Sequence, residues 1–157
     1  MILNNNYMFA EYNYDNFPIV SVLFSETISN ENEFDQFLRQ WLELYHNQKD
    51  YLFLFDTRKM NNIPFKYSIK MALFIKKLRK QPYHYLQKSL IVVNNNKIKK
   101  LLDFVFTMQS PVAPVYIWNT EELNHLILNE KLTQINRRNL TEDIIYIKPN
   151  QSFIPFL

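Results

Sequence analysis

The chain has 157 residues, of which 47% are hydrophobic and 21% charged, and its formal net charge is +3. These values are typical of one globular domain with a buried core, and the mild charge does not favour a dedicated nucleic-acid binder. The chain contains no Cys and no Gly, which excludes disulfides, thiolate metal sites and Gly-rich phosphate or dinucleotide loops. The lack of Cys, of a signal-peptide pattern and of any apolar run near the roughly 20 residues of a membrane span favours a cytoplasmic protein.

The first part of the chain predicts a β-hairpin followed by an amphipathic helix. Residues 7–14 and 17–24 are rich in aromatic and β-branched side chains, and Asp15-Asn16 between them suits a tight turn. Asn30 and Glu33 then form a capping-box pattern at the start of a helix over about 31–47. Its apolar residues recur at helical spacing and are expected in the core; they are Phe34, Phe37, Leu38, Trp41 and Tyr45.

Strands and helices alternate after this helix. Continuous apolar runs predict strands that are buried on both faces, at 51–55, 89–93 and 114–118. Three more helices are predicted between and after these strands. The first opens at Pro64 and ends before Pro82, and the second is capped within the Asn run at 94–96 and ends before Pro111. The third is capped by Thr120, and its inward-facing residues are Leu123, Leu126 and Ile127.

The element order β-β-α-β-α-β-α-β-α predicts a single α/β domain with a mixed sheet, opened by the N-terminal hairpin. This domain is expected to span residues 1–132. Residues 133–157 form a C-terminal extension with a strand pattern at 144–147. We expect the extension either to pack on the domain or to bind a partner.

The element order over roughly residues 7–132, together with one local motif, resembles a known family. The segment DTRKMNNIPFKY, residues 56–67, is similar to the D-L-S-x-V-x-x-I-D-S-S-G motif of STAS domains, the family of SpoIIAA-like anti-sigma-factor antagonists. Asp56, Met60 and Ile63 match the motif, whereas Pro64 to Tyr67 replace its D-S-S-G, so Tyr67 and Ser68 are the nearest hydroxyls. The resemblance implies a divergent STAS-like regulatory scaffold that binds protein through the second helix and lacks the phosphoacceptor serine.

The remaining polar candidates do not predict an enzyme. Asp56 ends a strand at the carboxyl edge of the sheet, where α/β proteins bind ligands, but Asp in such turns more often accepts backbone N–H groups. His46, His84 and His125 lack metal-ligand spacing. We therefore expect no catalytic residue, no metal and no cofactor.

The second helix is the strongest candidate for an interaction surface. With Phe65, Ile69, Ala72 and Leu73 assigned to its inner face, it still carries a second apolar face. An apolar centre with a basic rim would bind a protein partner or a second copy in a homodimer. The predicted partner-binding residues are Arg58, Lys59, Phe65, Lys70, Met71, Phe74 and Leu78. Burial of the same face under the tail at 153–157 is the alternative.

A binder of an anionic small molecule or a lipid headgroup is the alternative function. Three lysines at 97–100 open the third helix, where cations oppose the helix dipole unless an anion is bound. The predicted anion-binding residues are Asn94, Asn95, Asn96, Lys97 and Lys100. The alternative interpretation of the same pattern is a lysine surface that faces solvent and binds no ligand.

Overall fold

Six strands form one sheet in chain order in the computed structural model, which describes residues 8–149. The four central strands run parallel, while the first and the last pair antiparallel with their neighbours. The sheet is therefore mixed, as predicted. The strands are β1 (Ala10–Asn13), β2 (Ile19–Phe24), β3 (Tyr51–Asp56), β4 (Leu86–Val93), β5 (Val115–Asn119) and β6 (Ile144–Ile147).

Four helices cover the two faces of this sheet unequally. They are α1 (Glu31–His46), α2 (Lys66–Leu78), α3 (Asn96–Met108) and α4 (His125–Gln134). The first three pack on one face and form the larger core, whereas α4 covers part of the other face with Leu128 and Leu132. Strand β3 contributes to both cores, Phe53 and Phe55 to the larger and Leu54 to the smaller, because successive side chains of a strand point to opposite faces.

The start of α1 confirms Asn30 as its predicted N-cap. The Glu33 N–H donates to Asn30 Oδ1 at 3.1 Å, whereas the Glu33 carboxylate accepts from the N–H of Ser29, one residue before the cap, at 3.1 Å. The aromatic stripe of this helix lies in the core, and the Trp41 ring contacts that of Phe53 edge-on at 4.9 Å between centroids. Local capping and helical periodicity thus agree with the packing, which is why this helix was predictable.

The fourth helix differs from its prediction. Asn124, rather than Thr120, caps it, and Asn124 Oδ1 accepts from the Leu126 N–H at 2.9 Å. The prediction that Leu123, Leu126 and Ile127 face inward is wrong, because all three side chains are exposed.

No helix within residues 8–149 has both the length and the apolar character needed to cross a bilayer.

Part of the C-terminal extension belongs to the sheet. Strand β6 pairs with β5, with Ile144 opposite Trp118 and Ile147 opposite Val115. Ile135 and Ile144 are buried in the smaller core. The tail at 153–157, which was the alternative cover for the second helix, lies outside the described residues.

Candidate functional site

The loop after β3 is held by a carboxylate–guanidinium pair. Asp56 Oδ1 accepts from the Arg58 backbone N–H at 3.1 Å and from Arg58 Nε at 3.0 Å, and Asp56 Oδ2 accepts from Nη2 at 3.0 Å. The neighbouring Thr57 is buried and donates its hydroxyl to the Val92 carbonyl at 2.8 Å. Asp56 therefore organises its own turn, which is the structural role favoured from the sequence.

Arg58 also joins distant parts of the chain. Its Nη1 donates to the carbonyl of Thr120 at 3.3 Å and to that of Glu122. Because only 9% of the Arg58 side chain is exposed, the guanidinium lies under the loop between β5 and α4 rather than on the surface. The prediction that Arg58 belongs to an exposed basic rim is therefore wrong, whereas Lys59 beside it is exposed.

The predicted apolar centre of the interaction surface lies in the core. Phe74 and Leu78 are only 8% and 1% exposed, and the Phe74 ring contacts that of Trp41 at 5.2 Å between centroids. Met71 is partly buried against the same core. The prediction that Met71, Phe74 and Leu78 form an exposed face is wrong, because these side chains hold α2 on the sheet.

The opposite side of α2 is apolar and exposed. Phe65, Ile69 and Leu73, three of the residues that the sequence assigned to the inner face, are 53%, 40% and 56% exposed. We call these three residues the exposed stripe. The Phe65 ring contacts that of Phe104 on α3 at 4.5 Å between centroids, and Met108 is exposed on the same helix. Helix α2 thus presents an apolar surface, but on the side opposite to the one predicted.

Lysines surround the exposed stripe. Lys66 Nζ lies 2.8 Å from Glu31 Oε1 of α1, and Lys70 contacts the other carboxylate oxygen. Hydrogen bonds from Lys66 and then Lys70 lower the pKa of Glu31 to about 2, so this carboxylate stays ionised at neutral pH. Lys76 and Lys77 are exposed near the end of the helix. Lys70, which was predicted for the rim, is thus paired with Glu31 of α1.

The charge of the molecule is concentrated on these two helices. Helix α2 contains four Lys and no acidic residue, and α3 contains three Lys and one Asp. Seven Lys and one Asp give the two helices a combined net charge of +6, whereas the net charge of the whole chain is +3. The rest of the chain therefore has a net charge of −3, and the face formed by α2 and α3 is strongly basic by comparison.

The hydroxyls near the start of α2 are buried. Tyr67 and Ser68 are both buried, and the Tyr67 hydroxyl donates to Glu31 Oε1 at 3.3 Å. Neither hydroxyl therefore lies on the exposed side of α2.

A shallow polar cleft lies at the carboxyl edge of the sheet. Lys59 and Met60 line one side, and Asn95, Asn96 and Lys97 line the other, with Glu26, Arg58 and Asn61. Asn95 caps α3, because its Oδ1 accepts from the Ile98 N–H at 3.0 Å. Of the predicted anion-binding residues, the structure brings Asn95, Asn96 and Lys97 together, whereas Asn94 and Lys100 do not line this cleft.

The histidines are dispersed over the fold. His84 is half-buried and its Nδ1 lies 3.2 Å from the Tyr45 hydroxyl. Burial, and then the nearby Arg79 charge, lower the pKa of His84. His46 and His125 are exposed at a helix end. Within residues 8–149, the His, Asp and Glu side chains form no group of three that could hold a metal ion.

Comparison with known proteins identifies no relative: no family model, no curated protein and no solved structure matches the chain.

Proposed function

We propose that this protein is a non-enzymatic interaction module that binds an acidic amphipathic helix of a protein partner through the exposed stripe of α2. The observation that carries the proposal is a row of large apolar side chains, Phe65, Ile69 and Leu73, left in solvent on one side of a helix. Residues at i, i+4 and i+8 share one helix side. Exposed apolar side chains that lie together, with a polar rim, are typical of interaction surfaces.

The dimensions of the stripe fit a helical partner. Eight residues of helix rise roughly 12 Å, which is about two turns. Helix-binding surfaces commonly take apolar anchors at i, i+3 or i+4, and i+7 of the partner. The exposed Met108 and the partly exposed Phe104 widen the apolar surface on the α3 side.

Charge complementarity favours an acidic partner over a second copy of this chain. A two-fold dimer through α2 would place two basic regions against each other, each carrying +6 over α2 and α3, or +5 with the Glu31 carboxylate that pairs with Lys66 and Lys70. Opposed charges of the same sign disfavour such pairing. An acidic helix would instead be attracted to the lysines while its apolar side covers the stripe.

The STAS resemblance supports the same helix as the binding element. It implies protein binding through the second helix, and it stays a prediction that rests on element order and on residues 56–67. The loop that carries catalysis or switching in many α/β proteins here uses Asp56 and Arg58 to bind each other. This use of the loop favours an interaction role over an enzymatic one.

Binding of designed peptides tests the proposal. We would measure, by fluorescence anisotropy, a 20-residue helical peptide with leucines on one side and glutamates elsewhere, and a matched peptide with lysines in place of the glutamates. We expect the acidic peptide to bind and the basic peptide not to bind. Leu73→Glu should weaken binding of the acidic peptide at least tenfold, because it places a like charge within the apolar row.

The matched control is Leu126→Glu, which changes an equally apolar, exposed side chain on α4. We expect it to leave both peptide affinity and melting temperature unchanged. Equal binding of the two peptides, or full affinity of a folded Leu73→Glu variant, would overturn the proposal. Preferential binding of single-stranded RNA at the same face would also overturn it, since the partner would then be a nucleic acid.

The polar cleft supports a second candidate function, the binding of a small anion or a phosphorylated lipid headgroup. Lys59 and Lys97 converge there with the amino end of α3. Free N–H groups and the helix dipole at such an end favour negative charge. Glu26 in the same cleft weakens this candidate.

A thermal-shift assay with inorganic phosphate and with phosphoinositide-containing vesicles tests this second candidate. A ligand that binds the folded state raises the melting temperature. Lys97→Ala should remove the rise, whereas Lys100→Ala, outside the cleft, should keep it. A rise with phosphate alone would assign a free anion, and a flat response to both ligands would exclude this function.

A further inference from the structure

The larger core contains a partly open cavity of about 130 Å³. It lies between the sheet and the helices, next to Ile75 of α2, Val105 of α3 and Ile91 of β4. Its lining is almost entirely apolar, and no Asp, Glu, Lys, Arg or His among the described residues takes part in it. A charged group therefore finds no compensating partner in this space.

The size and lining of the cavity are those of a ligand-binding space. Protein interiors are close-packed, with few voids larger than a water molecule. An engineered apolar cavity of roughly 150 Å³ stays dry and binds benzene. Small side chains on different elements keep this volume open: Ser68 on α2, Ser89 on β4 and Ala113 before β5.

Two features specify the occupant further. The Thr57 hydroxyl at the cavity is already donated to the Val92 carbonyl, whereas Ser68 and Ser89 can hydrogen-bond to one neutral polar atom. Met60 and Met71 also line the space, and their flexible thioethers adapt to different shapes. Met60 also borders the open polar cleft, so this one side chain lies between the cleft and the cavity.

We propose that this cavity binds a neutral, compact apolar molecule of about the size of one aromatic ring, carrying at most one uncharged polar group. This site is separate from the exposed stripe and independent of the proposed partner. Its occupant would restore contacts that the surrounding side chains otherwise lack.

Calorimetric melting of the full chain with toluene, phenol or benzoate tests this proposal. At ten times the dissociation constant, we expect toluene and phenol to raise the melting temperature by about 3–5 °C. Benzoate should not raise it, because its carboxylate cannot enter. Ser68→Leu should abolish the rise, because the larger side chain occupies the cavity.

Thr107→Leu, at an exposed position of α3, is the matched control and should keep the full rise with toluene. Ala113→Ile provides a second filling variant if Ser68→Leu fails to fold. No rise with toluene in the wild-type chain would overturn the proposal. An undiminished rise in a folded filling variant, or an equal rise with benzoate, would place binding elsewhere and overturn it too.

Discussion

At the scale of single residues, Arg58 connects the end of β3 to the loop between β5 and α4. It pairs with Asp56 two residues earlier and reaches the carbonyls of Thr120 and Glu122 on the other side of β4 in the sheet. The local half of this arrangement was predictable, because Asp at a strand end commonly accepts hydrogen bonds from its own turn. The long-range half was not, since residues 62 and 64 positions away carry no sequence signal of the contact.

Removal of the Arg58 side chain tests this connection. Arg58→Leu should lower the free energy of unfolding by about 3 kcal/mol, because it leaves the Asp56 carboxylate unpaired under the loop. Urea denaturation measures the loss.

Asp56→Leu combined with Arg58→Leu should lower the free energy of unfolding by less than the sum of the two single changes, since no uncompensated charge remains. Lys59→Ala, at the exposed neighbour, should change stability by less than about 0.5 kcal/mol. A loss that small for Arg58→Leu would contradict the role given to the pair.

At the scale of elements, α2 shows why periodicity alone assigned its faces incorrectly. The helix has two apolar stripes at helical spacing, one with Ile69 and Leu73 and one with Phe74 and Leu78. The lysines resolve the ambiguity, because at about 100° per residue Lys66, Lys76 and Lys77 lie closer to Ile69 and Leu73 than to Phe74 and Leu78. Charged side chains stay in solvent, so the stripe with fewer lysines beside it is the one that packs. The positions of the lysines are visible in the sequence. They decide between the two stripes only when they are considered together with the size of the apolar side chains.

Adjacent residues of α2 provide a sharp test of this orientation. Phe74→Ala should lower the free energy of unfolding by about 4 kcal/mol, because it leaves a cavity beside Trp41. Leu73→Ala should change it by less than about 0.5 kcal/mol, because that side chain is exposed. Chemical denaturation of the two variants measures both. Similar losses for the two changes would show that α2 is rotated differently on the sheet.

At the scale of the whole molecule, element order and sheet type were predictable, because each rests on local periodicity and on the rules of α/β connection. The side of the sheet that each helix covers was not predictable, and among the helices of residues 8–149 only α4 packs on the face of the smaller core. That face also leaves Leu123 and Leu126 exposed. Glu121, Glu122, Glu130 and Lys131, which lie close to them in sequence, carry mixed charges, so this region lacks the net positive charge of α2 and α3.

Binding of an acidic helical partner to the exposed stripe can be observed directly by NMR. The experiment is a ¹H–¹⁵N correlation titration of the chain with the acidic helical peptide, at low salt and at 0.5 M salt. We expect chemical-shift changes concentrated at residues 65–77, on and before α2, and at residues 104–108 of α3. These changes should decrease at high salt because the lysine contribution is screened. Changes concentrated instead in α4, or around the cleft at Asn95–Lys97, would contradict the proposed binding.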